Sequence, residues 1–291
     1  MNKLLNPKFI VLLGVVFTSF SAILTRTSTA SSSVIAAYRL TFTVIVMLPL
    51  VLKTSIKELR SVSKKQLLIC IVSGIFLALH FISYFTAVKY TSIVNATMLV
   101  NTQPIFIFIG SILILKEKVS IKSTLCIVVA LIGSAIISMG GSTTGTNVQL
   151  GNFLAVAGAF FFAGYMMIGR VVRKNLSNTS YTFIVYSSSA ILLMIINLVT
   201  KTPLYPYPKA DWLIFLGLAV FCTILGHSIF NWALQYLNPA FVSISILGEP
   251  VFATVWAVFL FNEIPSVVQV IGAIIILVSI GYFTKISENN N

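Results

Sequence analysis

His80 is followed four residues later by Tyr84, and Thr223, His227 and Asn231 recur at the same spacing. Residues so spaced share one face of a helix. Imidazole, phenol and amide groups donate, accept or carry protons, so these two stripes could line a polar binding pocket. Gln103 and Glu249 each precede a proline, Pro104 and Pro250. A proline inside a helix removes one amide hydrogen bond and disfavours α geometry in the residue before it. Both dipeptides therefore predict helix kinks, and a backbone carbonyl freed near Ile246 could face a ligand or a proton carrier. A plain structural kink is the alternative at either position, with Glu249 protonated and bonded to a neighbour.

The elements that must hold these groups follow from composition. Of 291 residues, 58% are hydrophobic and 9% charged, against roughly a quarter charged in soluble domains. The chain divides into ten apolar stretches, each near the roughly 20 residues that cross a hydrocarbon core: 9–25, 34–52, 67–87, 93–115, 123–139, 152–168, 182–199, 212–234, 240–261 and 266–284. The longest joint, Lys53 to Gln66, is too short for a soluble domain. The predicted fold class is an all-α membrane protein of ten transmembrane helices. Glu249 then lies roughly 14 Å deep, near the midplane. A carboxylate there is costly and should face a polar cavity or carry a proton. The polar stripes should point inward for the same reason. Phe17, Ser21, Tyr165 and Trp232 are wall candidates by span membership. Arg39, about five residues into its span, could snorkel to the interface, pairing structurally or meeting an anionic group of a ligand.

The formal charge of +13 suggests anionic lipid head groups as partners, since the basic residues lie in short segments between apolar runs and form no continuous nucleic-acid face. Cys70, Cys126 and Cys222 lie inside apolar runs, without disulfide or zinc spacing. No metal or cofactor is expected, and the absence of HExxH or paired intramembrane carboxylates argues against an enzyme. Lys3 and Lys8 before an apolar run resemble a signal peptide, but the spans that follow favour an uncleaved first helix. With the N-terminus inside, fourteen Lys and Arg fall in inner segments and four in outer ones, so both termini should be cytoplasmic. Gly140 to Gly145 reads as a flexible joint, and Gly151, Ala155, Ala159 and Ala163 as a small-residue ladder for close helix packing.

Sliding the chain by 146 residues superposes Tyr84–Ser120 on Phe230–Ser266 and matches Ala87 to Ala233, Tyr90 to Tyr236, Pro104 to Pro250, Phe106 to Phe252, Glu117 to Glu263 and Ser120 to Ser266. His80 and His227 become near equivalents with one residue of slip. Two five-helix repeats, 1–141 and 142–291, are predicted. Five being odd, the second must enter the membrane inverted, and the basic Lys116-Glu117-Lys118 loop accordingly matches the lysine-free Asn262-Glu263-Ile264. Inverted repeats characterise secondary transporters, whose halves exchange conformations around a central site. A passive channel, a lipid scramblase and, more remotely, an intramembrane enzyme are the competing classes.

The tandem halves, the segment AVKYTS…NATMLVNTQPIF with its following KEK, and NWALQYLNPAFVSISILGEPVFATVWAVFLFNE resemble the EamA-type branch of the drug/metabolite transporter superfamily. The resemblance covers nearly the whole chain. It implies a ten-helix basket with a central pocket, and export of small metabolites such as amino acids across the inner membrane. The usual Trp-Gly of the first helix is absent, since Val15-Val16-Phe17 follows Gly14. The expected substrate-binding residues are His80, Tyr84, Gln103, His227, Asn231, Trp232 and Glu249, with Glu249 also the proton-coupling group. A small-molecule substrate and membrane lipids are the expected partners, with a monomer as the expected state.

Overall fold

The protein is described by a computed structural model covering residues 6–114, 116, 120–139, 145–261 and 266–289. Among the described residues all regular structure is helical. Pro7 opens α1 (Pro7–Thr18), where a missing amide costs no hydrogen bond, and the Asn6 side chain caps it by accepting from Lys8 N. α2 (Phe20–Thr27) completes the first apolar stretch. Next come α3 (Ser32–Thr54), the short α4 (Ile56–Ser61) and α5 (Lys64–Tyr90), the last capped by Ser63. α6 (Ile93–Val100), α7 (Gln103–Leu113) and α8 (Ile121–Met139) follow. The remaining helices are α9 (Val148–Val172), α10 (Asn178–Val199), α11 (Lys209–Gly217), a π-helical stretch (Leu218–His227), α12 (Ser228–Ala233), α13 (Pro239–Ile246), α14 (Glu249–Phe261) and α15 (Val267–Asn289).

Among the described residues, seven stretches are long and apolar enough to cross a membrane, and shorter apolar helices cover Ile121–Ile137, Pro239–Ala253 and Val267–Phe283. Two expected spans differ from prediction. Instead of kinked continuous helices, the chain breaks at Asn101–Thr102 between α6 and α7, and at Leu247–Gly248 between α13 and α14. Each proline takes the second position of a new helix, where its missing N–H is among those left unpaired at any helix start. The joint after α3 also differs, since it folds into α4.

Helix starts repeat as the sequence does. α3 and α10, α6 and α13, α7 and α14, and α8 and α15 each begin 146 residues apart. Ser31 and Ser177 hold equivalent N-cap positions, as do Ser92 and Asn238. The cap side chains of Ser92 and Asn238 accept from Asn95 N and Phe241 N, satisfying donors that a helix start leaves free.

Small residues set the closest approaches. α9 lies along α5, with Gly151, Ala155, Ala159 and Ala163 buried, as the ladder predicted. α8 and α15 pack where Gly133 and Gly272 meet: a Cβ on either would come within 2.9 and 2.7 Å of the other's carbonyl oxygen. The three cysteines are buried and free, in keeping with a packing role. The expected joint at 140–144, the matched pair Glu117 and Glu263, and Lys3 lie outside the described residues.

Candidate functional site

The two helix breaks face one small cavity of about 30 Å³. One break contributes Val100, Asn101 and Gln103, and the other Ile246 and Glu249. α5 supplies His80, Phe81 and Tyr84; Phe162 comes from α9, His227 from the end of the π-helix, Phe230 from α12, and Thr18 and Ser21 from the first stretch. Phe81, Phe162 and Phe230 give the cavity an aromatic wall, while eight of the thirteen lining residues carry polar groups, three of them at the breaks. Aromatic walls offer a small molecule contact area, and polar groups can fix its orientation.

Five of the seven sequence-predicted residues meet here: His80, Tyr84, Gln103, His227 and Glu249. The histidine rings lie 6.2 Å apart. His80 Nδ1 is 2.9 Å from the carbonyl oxygen of Gly158. A carbonyl can only accept, so Nδ1 carries the proton and Nε2 is the ring's acceptor. Nδ1 of His227 is buried without a partner, while its ring packs among Phe81, Phe162 and Phe230 at 5.1, 5.7 and 5.9 Å. Tyr84 OH and Thr97 Oγ1 are 3.3 Å apart. Glu249 is hydrogen-bonded with Thr18.

Asn231 and Trp232 do not reach the cavity. Asn231 is fully buried, its Nδ2 donating to the Tyr165 hydroxyl and, at 2.9 Å, to the His227 carbonyl. The ring of Trp232 packs on Tyr236 at 4.8 Å. The stripe therefore leaves the cavity after His227. The π-helical stretch Leu218–His227, with Thr223 Oγ1 donating to Leu218 O five residues back at 3.0 Å, alters the step from Thr223 to His227. Such segments often occur at functional sites. Asn231, by contrast, follows His227 by one α-helical turn and is taken up by Tyr165. Among the other wall candidates, Ser21 lines the cavity, whereas Tyr165 is packed beneath it and Phe17 stacks on Phe221.

Arg39 corrects another expectation. Its guanidinium does not snorkel: the residue is 0% exposed. Nε donates to Thr223 Oγ1 at 2.7 Å and Nη1 to Ser21 Oγ at 3.0 Å. The cation stands 4.2 Å from the centroid of the Phe81 ring, a favourable cation–π placement in a desolvated setting. Nη2 has no partner. Arg39 thus ties α3 to the π-helix and the first stretch, immediately behind the cavity's aromatic wall.

Polar clusters close the two ends of the helix assembly. At one end Glu58 of α4 accepts from Ser177 N at 2.8 Å and from the hydroxyls of Ser177 and Ser180. There Arg170 donates to the carbonyls of Leu234 and Leu237 at 2.8 and 3.2 Å. At the other end Asp211 of α11 accepts from Ser28 Oγ at 2.5 Å and Thr29 N at 3.0 Å, while Lys89 Nζ donates to the Ser28 carbonyl at 3.1 Å.

Sequence reading missed Asn101 and the aromatic walls Phe81, Phe162 and Phe230. Asn101 sits in the break itself, two residues before Gln103, and only the Gln-Pro dipeptide marked the place.

A sequence model of the EamA-like transporter family matches residues 7–139 and again 149–284. The chain is 29% identical over 260 residues to the uncharacterized transporter YyaM of Bacillus subtilis, covering 86% of this chain and 83% of that one. It is 22% identical to the pseudopaline exporter CntI of Pseudomonas aeruginosa over 75% of both chains. A crystal structure superposes with a TM-score of 0.79 over 98% of both chains at 17% identity, a likeness of fold alone.

Proposed function

The chain belongs to the EamA-like transporter family, and on that premise we propose that this multi-pass membrane transporter is a proton-coupled secondary transporter exporting small organic metabolites, such as amino acids, by alternating access. Its ten membrane segments form inverted halves, 1–141 and 142–291, in the cell's inner membrane with both termini cytoplasmic. The observation that carries the reading is the cavity placed where two helix breaks, at repeat-equivalent positions, meet. Broken helices at a central site are how transporter folds present backbone groups and charges to a ligand away from lipid. Glu249 opens α14, at the positive end of that helix's dipole, and is the coupling carboxylate. His80, Tyr84, Gln103 and His227 contact the substrate. Pro104 and Pro250 hold the breaks open, since neither can donate the amide that would extend the preceding helix.

The two closing clusters supply the gates. Ser177 stands before α10 and Ser28–Thr29 before α3, the repeat partner of α10. Glu58 precedes α5, and Asp211 lies in the first turn of α11. Each half thus contributes one acid and one hydroxyl-bearing helix entry, and releasing one cluster while keeping the other would open the cavity to one side at a time. The pseudopaline exporter among the relatives supports the outward direction.

The test is counterflow. A metabolite that raises the melting temperature of the purified protein is loaded unlabelled into proteoliposomes and offered labelled outside. Transient uptake of label above equilibrium is expected; simple leakage to equilibrium would indicate a channel.

A further inference from the structure

Asn101 is 1% exposed, yet neither Nδ2 nor Oδ1 has a hydrogen-bond partner, and the side chain lines the cavity. A buried primary amide offers two donors and an acceptor, and leaving such groups unpaired costs stability. Its neighbours do not need it. Tyr84 is engaged with Thr97, His80 with Gly158, and Glu249 with Thr18. The repeat-equivalent position in the other half is Leu247, which is buried in an apolar cluster. The fold therefore accepts a leucine in such a break, and packing alone gives no reason for an amide at 101.

We propose that Asn101 determines the specificity of the cavity by reading a ligand head group that carries a hydrogen-bond acceptor beside a donor, as a carboxamide does. This rests on reading the cavity as the substrate site. The head's acceptor takes a proton from Nδ2, and its N–H donates to Oδ1. The rest of the ligand lies against Phe81, Phe162 and Phe230. A side chain held for ligand pairing rejects analogues lacking the matching group, because the buried amide is then left unpaired.

Two probes of similar size and the same phenyl body separate the possibilities: 2-phenylacetamide, with N–H donors beside its carbonyl, and methyl phenylacetate, with the carbonyl but no donor. Titrated into the purified full-length protein, the amide should bind about tenfold or more tightly than the ester. In Asn101→Leu the ratio should collapse to about one, and the ligand-free melting temperature should stay the same or rise, because an unpaired buried amide has been removed. Equal binding of both probes by the wild type, no binding of either, or an unchanged ratio in the variant overturns the assignment. So does a lower melting temperature or failure to fold, which would make Asn101 a structural residue. These are equilibrium measurements without a membrane. A head-group preference that depends on Asn101, in a protein that fails counterflow, would sink the transport reading alone.

Discussion

Glu58 in α4 and Ser177 at the N-cap of α10 are 119 residues apart, yet the Glu58 carboxylate accepts the Ser177 amide at 2.8 Å. It thereby supplies a negative charge at the start of a helix it does not belong to. Burial alone would raise the Glu58 carboxyl, but hydrogen bonds from Ser177 and Ser180 and the nearby Arg173 guanidinium outweigh it and hold the group below its ordinary value of 4.5. A carboxyl depressed in the folded state stabilises that state above its unfolded value, and the contribution is lost as pH falls through the folded one. Glu58→Gln should therefore destabilise the protein at neutral pH by less than about 1 kcal/mol, read as a lower melting temperature, because the group is partly solvent-screened. The difference should vanish on acidification below the carboxylate range. A difference that persists there would show that charge is not what closes this end.

The histidines should separate. His80→Phe breaks the bond to the Gly158 carbonyl and should cost both ligand binding and about 1–2 kcal/mol of stability. His227→Phe removes a ring nitrogen with no partner, so binding should fall while the melting temperature changes little. Thermal unfolding of both variants, with and without a bound metabolite, checks this. An equal loss of stability in the two would assign both rings to packing.

Arg39→Lys keeps the charge but loses the planar fork that reaches Thr223 and Ser21 while stacking on Phe81. A destabilisation of about 1–3 kcal/mol is expected, read as a fall in melting temperature in detergent. A neutral outcome would fit the interfacial, snorkelling arginine that the burial contradicts.

Orientation is tested with an impermeant thiol reagent on intact cells. Cys70, Cys126 and Cys222 are buried and should not react. A cysteine replacing Lys201 should be labelled from outside, whereas one replacing Ser61 or Asn178 should not. The reverse pattern would place both termini outside.

Much of the fold was legible because a membrane chain writes its helices as apolar runs, and because the 146-residue repeat fixed both proline breaks. The breaks themselves were read as kinks, since sequence marks where a proline falls and not whether the preceding turn continues. Five cavity residues were found through polarity at depth. Asn231 and Trp232 do not line the cavity, because helical spacing gives a shared face and not how far the cavity runs along it: Asn231 is taken up by Tyr165 and the His227 carbonyl, and Trp232 packs on Tyr236. Asn101 was missed because a lone amide among apolar residues has no periodic partner. Arg39 was placed by its distance from the span's end, which says nothing of the hydroxyls of Ser21 and Thr223 that hold it inside.

The central claim rests on Glu249, the carboxylate at the second break. Glu249→Gln keeps the shape and a hydrogen-bonding head but cannot exchange a proton. Proteoliposomes under an imposed pH gradient, supplied with the metabolite that most stabilises the protein, should show uphill accumulation for the wild type. The variant should show none, while still exchanging labelled for unlabelled substrate. Accumulation by Glu249→Gln at the wild-type rate would contradict the account, leaving Glu249 a structural acid and the protein a uniporter or exchanger.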